Sequence, residues 1–330
     1  MSNLVSRQLF LRAISIALAG SALSTSLSAA AADYPVRPVR IVVGFTPGGS
    51  GDAVARLIAQ SFSTIMGQSF IVENRAGANG NLATEMVRRA EPDGYTLFYT
   101  SIGHATNPSL YKEARYDPVK DFTPIGQVLS APNVLVVPAN SPFKTVQELI
   151  SFAKANPGKL NFASSGVGAS VHLSGEMFKY YAKVDMMHIP YKGSGNLMPD
   201  LISGNVSLAF PNLPTAVPLV KRGQLRALGI TMNKRSAAAP DIPTIAESGL
   251  PSYDMSTWYG LIAPANLPAD IQKQLNDALL KTLNNPEIRS KLIAQGMDPK
   301  PSSPEEFAKF IGDETQRWAT LLKSMNISAN

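Results

Sequence analysis

The residues best placed for chemistry in this chain would act through their backbone. Pro47-Gly48-Gly49-Ser50-Gly51-Asp52 follows the apolar run Val39-Arg40-Ile41-Val42-Val43 and precedes Ala53, Val54, Leu57, Ile58 and Phe62 at helical spacing. Strand, glycine-rich turn and helix in that order leave several backbone N–H groups unpaired at the positive end of a helix dipole, which stabilises an anion. It is not a nucleotide loop. A Walker loop needs Lys and then Ser or Thr after its last glycine, whereas Asp52-Ala53 follows Gly51, and G-x-G-x-x-G is not met either. A smaller anion is left, and for one such motif alone a tight turn with close packing is the better account of the glycines.

A second instance changes that balance. Asn161-Phe-Ala-Ser164-Ser165-Gly166-Val-Gly168-Ala-Ser170-Val-His172 again follows a strand and opens a helix, although Ser at a helix start also serves as an ordinary cap. A third turn, Gly77-Ala-Asn-Gly80-Asn81, reads as support for the first. Enzyme chemistry is poorly served. The three histidines, His104, His172 and His188, form no HExxH pattern, and there is no cysteine, so no metal site is expected. Gly166-Val-Gly-Ala-Ser170 fails G-x-S-x-G because His172 stands where the second glycine belongs. Asp52 and Arg56 have the spacing of a local ion pair on one helix. Met186, Met187 and Met198 read as core filling.

The elements that must hold these turns alternate between strand and helix: Val39–Val43, helix Asp52–Met66, Phe70–Glu73, helix Leu82–Ala90, Thr96–Thr100, then Asn133–Val137, helix Val146–Ala155, Leu160–Ala163, helix Ser170–Lys183 and Val206–Phe210. Such alternation predicts α/β architecture with mostly parallel sheets, whose ligands sit at the carboxyl ends of strands. Residues 269–323 are nearly all helical and are expected to pack back on the first domain. Crossings between domains are expected near Phe122–Pro132 and Pro251–Pro264, which gives a signal segment 1–32, a discontinuous domain 1 of 33–131 plus 255–330, and domain 2 of 132–254. Two crossings make a hinge, suited to closure around a ligand.

Composition narrows the setting. Arg7 and Arg12 precede an apolar and then small-residue stretch ending at Ala32, the layout of a secretory signal, so the mature protein is expected to start near Asp33 in a periplasm. Without any cysteine there is neither a disulfide nor a lipid-anchoring Cys. Removing residues 1–32 takes two arginines and no acid, leaving 28 basic against 24 acidic residues, a net charge of +4. With no run of like charges, neither nucleic acid nor an anionic membrane is expected as the main partner. Nearly 300 mature residues exceed one comfortable core, hence two domains.

From Tyr34 onward the chain resembles the solute-binding receptors of tripartite tricarboxylate transporters, the Bug-type proteins. The resemblance rests on "YPVRPVRIVVGFTPGGSGDAVAR", "VENRAGANGN", "EPDGYTLFYTSIGHATNPSLY", "ELISFAKANPGKLNFASSGVGASVHLSGEMF", "HIPYKGSGNLMPDLISGNVSLAF", "PDIPTIAESGLPSYDMSTWYGLIAPANLP" and "PEEFAKFIGDETQRWATLLK", all in order. It implies a two-domain, Venus-flytrap periplasmic binding protein of type II-like α/β fold, with no catalysis and no cofactor. It also implies delivery of a small organic acid to integral membrane permease subunits, and the protein itself is expected to be a monomer.

The resemblance further implies a carboxylate held by backbone amides and bridging water. Phe45, Thr46, Pro47, Gly48 and Gly49 would form the first-domain loop, with Ser101 and His104 on a neighbouring strand-end loop. Ser165, Gly166, Gly168, Ser170 and His172 would supply the opposite wall, and Pro211 and Asn212 a side wall. Many relatives have Ala where Pro47 stands and Thr where Gly51 stands, and Pro47 has no N–H to donate. Citrate, C4–C6 dicarboxylates, amino acids and aromatic acids all remain open as ligands. Phe45, Tyr191, Trp258 and Tyr259 could line an aromatic pocket or serve as core and hinge packing. A receptor that docks to a sensor protein for signalling is the alternative to transport.

Overall fold

A computed structural model describes residues 34–329; the expected signal segment lies outside the described residues. Among the described residues, eleven strands form two sheets. The first sheet begins with β1 (Val39–Val43), β2 (Phe70–Asn74) and β3 (Thr96–Ser101), which pair in parallel with β1 in the middle. Between them run α1 (Ser50–Met66) and α2 (Asn81–Arg88). On α1 the apolar residues Val54, Ile58 and Phe62 recur on one face and are buried, and Gly67 ends the helix in the left-handed conformation (φ 72°) by donating to Ser63 O. After α3 (Gly103–Leu110) come β4 (Phe122–Pro132) and β5 (Val134–Pro138).

The second sheet follows with α4 (Val146–Ala155), β6 (Leu160–Ser164), α5 (Ser170–Ala182), β7 (Met186–Pro190), α6 (Ser194–Ser203), β8 (Leu208–Ala209), α7 (Leu213–Lys221) and β9 (Leu225–Ile230). Its order is β7-β6-β8-β5-β9. The chain then returns through β10 (Ser256–Pro264), α8 (Ala269–Asn284), α9 (Pro286–Ala294), β11 (Asp298–Pro299) and α10 (Pro304–Ser324). The first sheet is completed in the order β11-β4-β10-β3-β1-β2.

Both sheets are mixed. The expected parallel pairing holds for β1 with β2 and β3, and for β6 with β7 and β8. Strands β4, β10 and β11 join the first sheet antiparallel, and β5 pairs antiparallel with β8 and β9. The segments expected to be crossings, Phe122–Pro132 and most of Pro251–Pro264, are therefore two long paired strands. Within them Gly126 lies against Leu279 and Gly260 against the Phe307 ring, where helices press on the sheet and no Cβ fits.

One hydrophobic cluster joins Val42 and Phe98 of the first sheet to Leu135 and Phe162 of the second and to Phe178 of α5. Along β5 the side chains alternate, Leu135 and Val137 into that cluster, Val134 and Val136 into another on the opposite face with Leu197, Leu201 and Leu213. From Pro35 onward the chain packs as one compact unit, in which each sheet with its own helices makes one lobe and the cluster just described joins the two. The C-terminal helices pack on the first lobe, α8 and α10 against β4. Trp258 is core: its ring meets Phe307 and Phe310 at 5.9 and 5.4 Å, and its indole N–H donates to the buried Glu314 carboxylate at 3.3 Å.

Candidate functional site

Every loop expected to bind follows the carboxyl end of a strand. Residues 44–49 follow β1, 165–169 follow β6, and Pro211-Asn212 follow β8. The helices that begin there, α1 and α5, have Gly49 and Ala169 at the N-cap, and neither receives a side-chain cap. Their first intrahelical bonds are Ala53 N–H to Gly49 O and Leu173 N–H to Ala169 O, both 3.0 Å. The amides of Ser50, Gly51 and Asp52, and of Ser170, Val171 and His172, thus have no intrahelical acceptor. Both helix starts offer polarised N–H groups, one in each lobe.

The lobes touch at these loops. A Cβ on Gly193, which follows β7, would stand 2.8 Å from Thr46 Oγ1. Gly193 itself donates to Ser165 O at 3.2 Å, so Thr46 of one lobe faces the Ser165 loop of the other. A Cβ on Gly168 would meet Asn79 Nδ2 at 2.8 Å and Leu110 Cδ1 at 2.9 Å, and the Gly168 φ of 82° already disfavours any other residue. The Tyr111 hydroxyl donates across the lobes to Val167 O at 2.9 Å.

The first loop is fixed by a network that the sequence only partly showed. Asp52 and Arg56 form their pair at 3.0 Å. The buried Asp52 carboxylate also accepts from Asn74 Nδ2 at 2.8 Å and from the Gly48 N–H at 3.1 Å. Burial alone would raise its pKa; the bonds from Arg56, Asn74 and Gly48 outweigh that and hold it below the ordinary value. The Gly48 amide, expected at the ligand, is paired inside the protein with Asp52. Gly49 has an ordinary extended backbone (φ −79°) with open space around an added Cβ. The third turn does lie beneath the first: a Cβ on Gly44 would meet Gly80 Cα at 2.9 Å. That turn runs through four consecutive positive φ angles, Gly77 to Gly80, and is braced by Asn79 Nδ2 donating to Asn107 Oδ1 at 2.9 Å.

Phe45 and Thr46 lie at the first loop, Phe45 half-buried with its ring 5.9 Å from Tyr259, and Pro47 is exposed. Tyr259 stacks on Tyr99 at 5.4 Å beneath Gly51. Tyr191 donates its hydroxyl to Asp200 at 2.6 Å. Ser101 ends β3 opposite Tyr259.

His104, expected on the strand-end loop, is buried against Tyr116 and Phe122, and its Nε2 meets Pro118 O at 2.8 Å; burial lowers its pKa to about 4. Its side chain belongs to the core of the first lobe. In the second loop, Gly166 donates to Ser164 Oγ and Gly168 to His172 Nδ1, each at 3.2 Å, so these amides too are internally paired. His172 is buried behind the loop. Among the described residues no cluster of His, Cys, Asp or Glu could hold a metal ion.

Sequence reasoning missed Asn133, which stands between β4 and β5 where the chain passes from one sheet to the other. It is fully buried. Its Nδ2 donates to Phe210 O at 2.8 Å and reaches Ser174 Oγ at 3.2 Å and Ser170 Oγ at 3.4 Å, while its Oδ1 accepts from Asn212 Nδ2 at 2.9 Å. Its backbone pairs with Thr231 on the returning chain, N–H to Oγ1 at 2.8 Å. Ser170, Asn212 and Pro211, whose carbonyl accepts from Val134 N–H, therefore converge on the crossing. The available signal was an amide set in the apolar stretch Leu129–Leu135, a polar group that has to find partners.

The profile described as "Tripartite tricarboxylate transporter family receptor" matches residues 54–327. Protein BugT of Bordetella pertussis (strain Tohama I) is 35% identical over 321 residues, covering 97% of each chain. An R. palustris protein solved with adipate superimposes with a TM-score of 0.86 at 38% identity, covering 89% of this chain and 99% of that one. The MatC protein of Rhodopseudomonas palustris with bound malate gives 0.82 at 33% identity, covering 88% and 100%. With two mixed sheets, strand-end loops meeting between them, and relatives matched over nearly their whole length, the chain belongs to the receptor family of the tripartite tricarboxylate transporters.

Proposed function

We propose that this chain is an extracytoplasmic receptor that closes on a small carboxylate, a dicarboxylate or other organic acid, between its two lobes. It then delivers the acid unchanged to membrane permease subunits of a tripartite tricarboxylate-type transporter. The carrying observation is the pair of uncapped helix starts, α1 and α5, one per lobe, whose loops meet where Thr46 faces Gly193. The adipate and malate held by two structural relatives support the ligand class. Contacts are assigned to the loops of Phe45, Thr46, Pro47 and Gly49, of Ser165, Gly166 and Ser170, and of Pro211 and Asn212, with Ser101 beside them.

The energetics need no covalent step. Each charge-assisted hydrogen bond contributes roughly 1.5–3 kcal/mol net, so a few amides and waters reach the ~8 kcal/mol of a micromolar site. Ser164 and His188 do approach to 2.6 Å, but Ser164 is fully buried and offers a substrate no access. No helix among the described residues is long and apolar enough to cross a membrane, and residues 1–32 are assigned as the export signal.

The test is a thermal-shift panel of organic acids on the purified protein, followed by calorimetry and small-angle scattering. Saturable binding of an unreacted acid with a smaller radius of gyration is expected. Binding confined to uncharged solutes, or turnover of the ligand, would end the proposal. Mass spectrometry of a periplasmic extract should find a chain starting near Asp33; a membrane-bound chain beginning at Met1 would refute the export reading.

A further inference from the structure

Behind the second-lobe loop lies a buried polar cluster to which the binding reading gives no task. His172, in the first turn of α5, accepts the Gly168 N–H on Nδ1 at 3.2 Å. The His188 ring of β7 lies 4.2 Å from the His172 ring, and its Nε2 meets Ser164 Oγ at 2.6 Å. Ser164 Oγ accepts the Gly166 N–H at 3.2 Å. Both glycine amides of the turn are thus fastened to an imidazole, one directly and one through a single hydroxyl. Glu176 lies 3.8 Å from His172 Nε2, and Lys179 lies 3.1 Å from Glu176. Phe162 of β6 stacks against both histidine rings.

We infer that His172 and His188 are positioning residues for the ligand loop of the second lobe, fixing the Gly166 and Gly168 amides so that the turn presents one backbone arrangement to the cleft. The bond direction dictates the tautomer. An N–H donates only to an unprotonated nitrogen, so His172 carries its single proton on Nε2, the side of Glu176. A second proton would occupy Nδ1 and expel the Gly168 amide. Burial, then the neighbouring His188 and Lys179, hold the His172 pKa down to about 3, and burial with Lys179 holds His188 at about 4. The fastening therefore persists through the range in which a free imidazole titrates. His188 can donate or accept toward Ser164, so its bond survives either protonation state.

The role in binding rests on the function proposed above; the fastening itself does not, and two ligand-free measurements decide it. Long-range 15N NMR should show His172 as the Nε2–H tautomer with no titration between about pH 8 and 5. Hydrogen exchange of residues 164–170 should quicken at least about tenfold in His172→Leu and in Ser164→Ala, and stay slow in His172→Asn, which retains an acceptor near the Nδ1 position. If His172→Leu does not fold, Ser164→Ala and His188→Leu carry the test, and the double variant should exchange no faster than either single. A His172 that titrates near its ordinary value, or loop exchange unmoved by these changes, would overturn the inference. Calorimetry with adipate and malate should show affinity weakened about tenfold wherever the loop loosens; a loosened loop with unchanged affinity also overturns it. Failure of the unaltered protein to bind either acid would count against the proposed function, leaving the exchange result to decide the fastening.

Discussion

Asn133→Ala should be among the costliest single changes in this chain. The side chain is fully buried and makes two bonds below 3.0 Å, to Phe210 O and from Asn212 Nδ2, besides longer ones to Ser174 and Ser170. Truncation leaves the Phe210 carbonyl buried without that donor, a loss of about 1–3 kcal/mol, while half-buried Asn212 recovers part of its bond from water. Together with the cavity, the expected loss is roughly 2–4 kcal/mol, or about 5–10 °C in melting temperature for a chain of this size. Asn133→Asp keeps an acceptor for Asn212 but sets a carboxylate oxygen against the Phe210 carbonyl, so it should be at least as damaging at neutral pH. Calorimetric melting and urea denaturation of the three proteins measure this. An alanine variant melting within about 1 °C of the parent would refute the reasoning that this amide ties the crossing together.

Further changes probe the cleft and the titrating groups. Gly193→Val should weaken acid binding by at least about tenfold, because its φ of 96° is hostile to a β-branched residue and its Cβ would press on Thr46 Oγ1; calorimetry showing parental affinity would contradict lobe closure at that contact. Arg56→Ala should leave affinity within about threefold, since Arg56 is half-exposed and Asp52 keeps Asn74 and Gly48. Abolished binding would instead point to a salt bridge holding the ligand. His104, His172 and His188 all have folded pKa values depressed below the ordinary 6.5, to about 4, 3 and 4. Their neutral forms thus favour the fold, an effect fully present above pH 6.5 and lost as pH falls toward those values. The slope is up to roughly 1.4 kcal/mol per pH unit for each histidine. Melting temperatures that stay level from pH 7 to pH 5 would show that the histidines are not buried neutral. Asp52 adds a further loss only below its ordinary value of 3.8.

Much of this protein was written locally. The 3.6-residue spacing of Val54, Ile58 and Phe62 defines α1, the run Val39–Val43 defines β1, and the glycine turns after β1 and β6 mark where an anion can be approached by helix starts; each is a property of residues close in the chain. The Asp52–Arg56 pair is of the same kind. What the sequence could not reveal depends on residues brought together from a distance. That the expected crossings near 122–132 and 251–264 carry long strands was not legible, because their pairing partners lie over a hundred residues apart and helices from elsewhere press on Gly126 and Gly260. His104 looked like a loop histidine until Tyr116, Phe122 and Pro118 closed around it. The Gly48 and Gly168 amides looked free although their acceptors, Asp52 and His172, lie only four residues on, because the turn geometry that brings each pair together is held by packing from elsewhere, Asn74 on Asp52 and His188 beside His172. Asn133 has no local signature because its partners, Ser170, Phe210, Asn212 and Thr231, arrive from three later parts of the chain. Local pattern thus pointed to the backbone segments proposed to hold an anion. Only tertiary packing decided which of their donors remain available, because a hydrogen bond is a short-range contact and its partner is chosen by the fold.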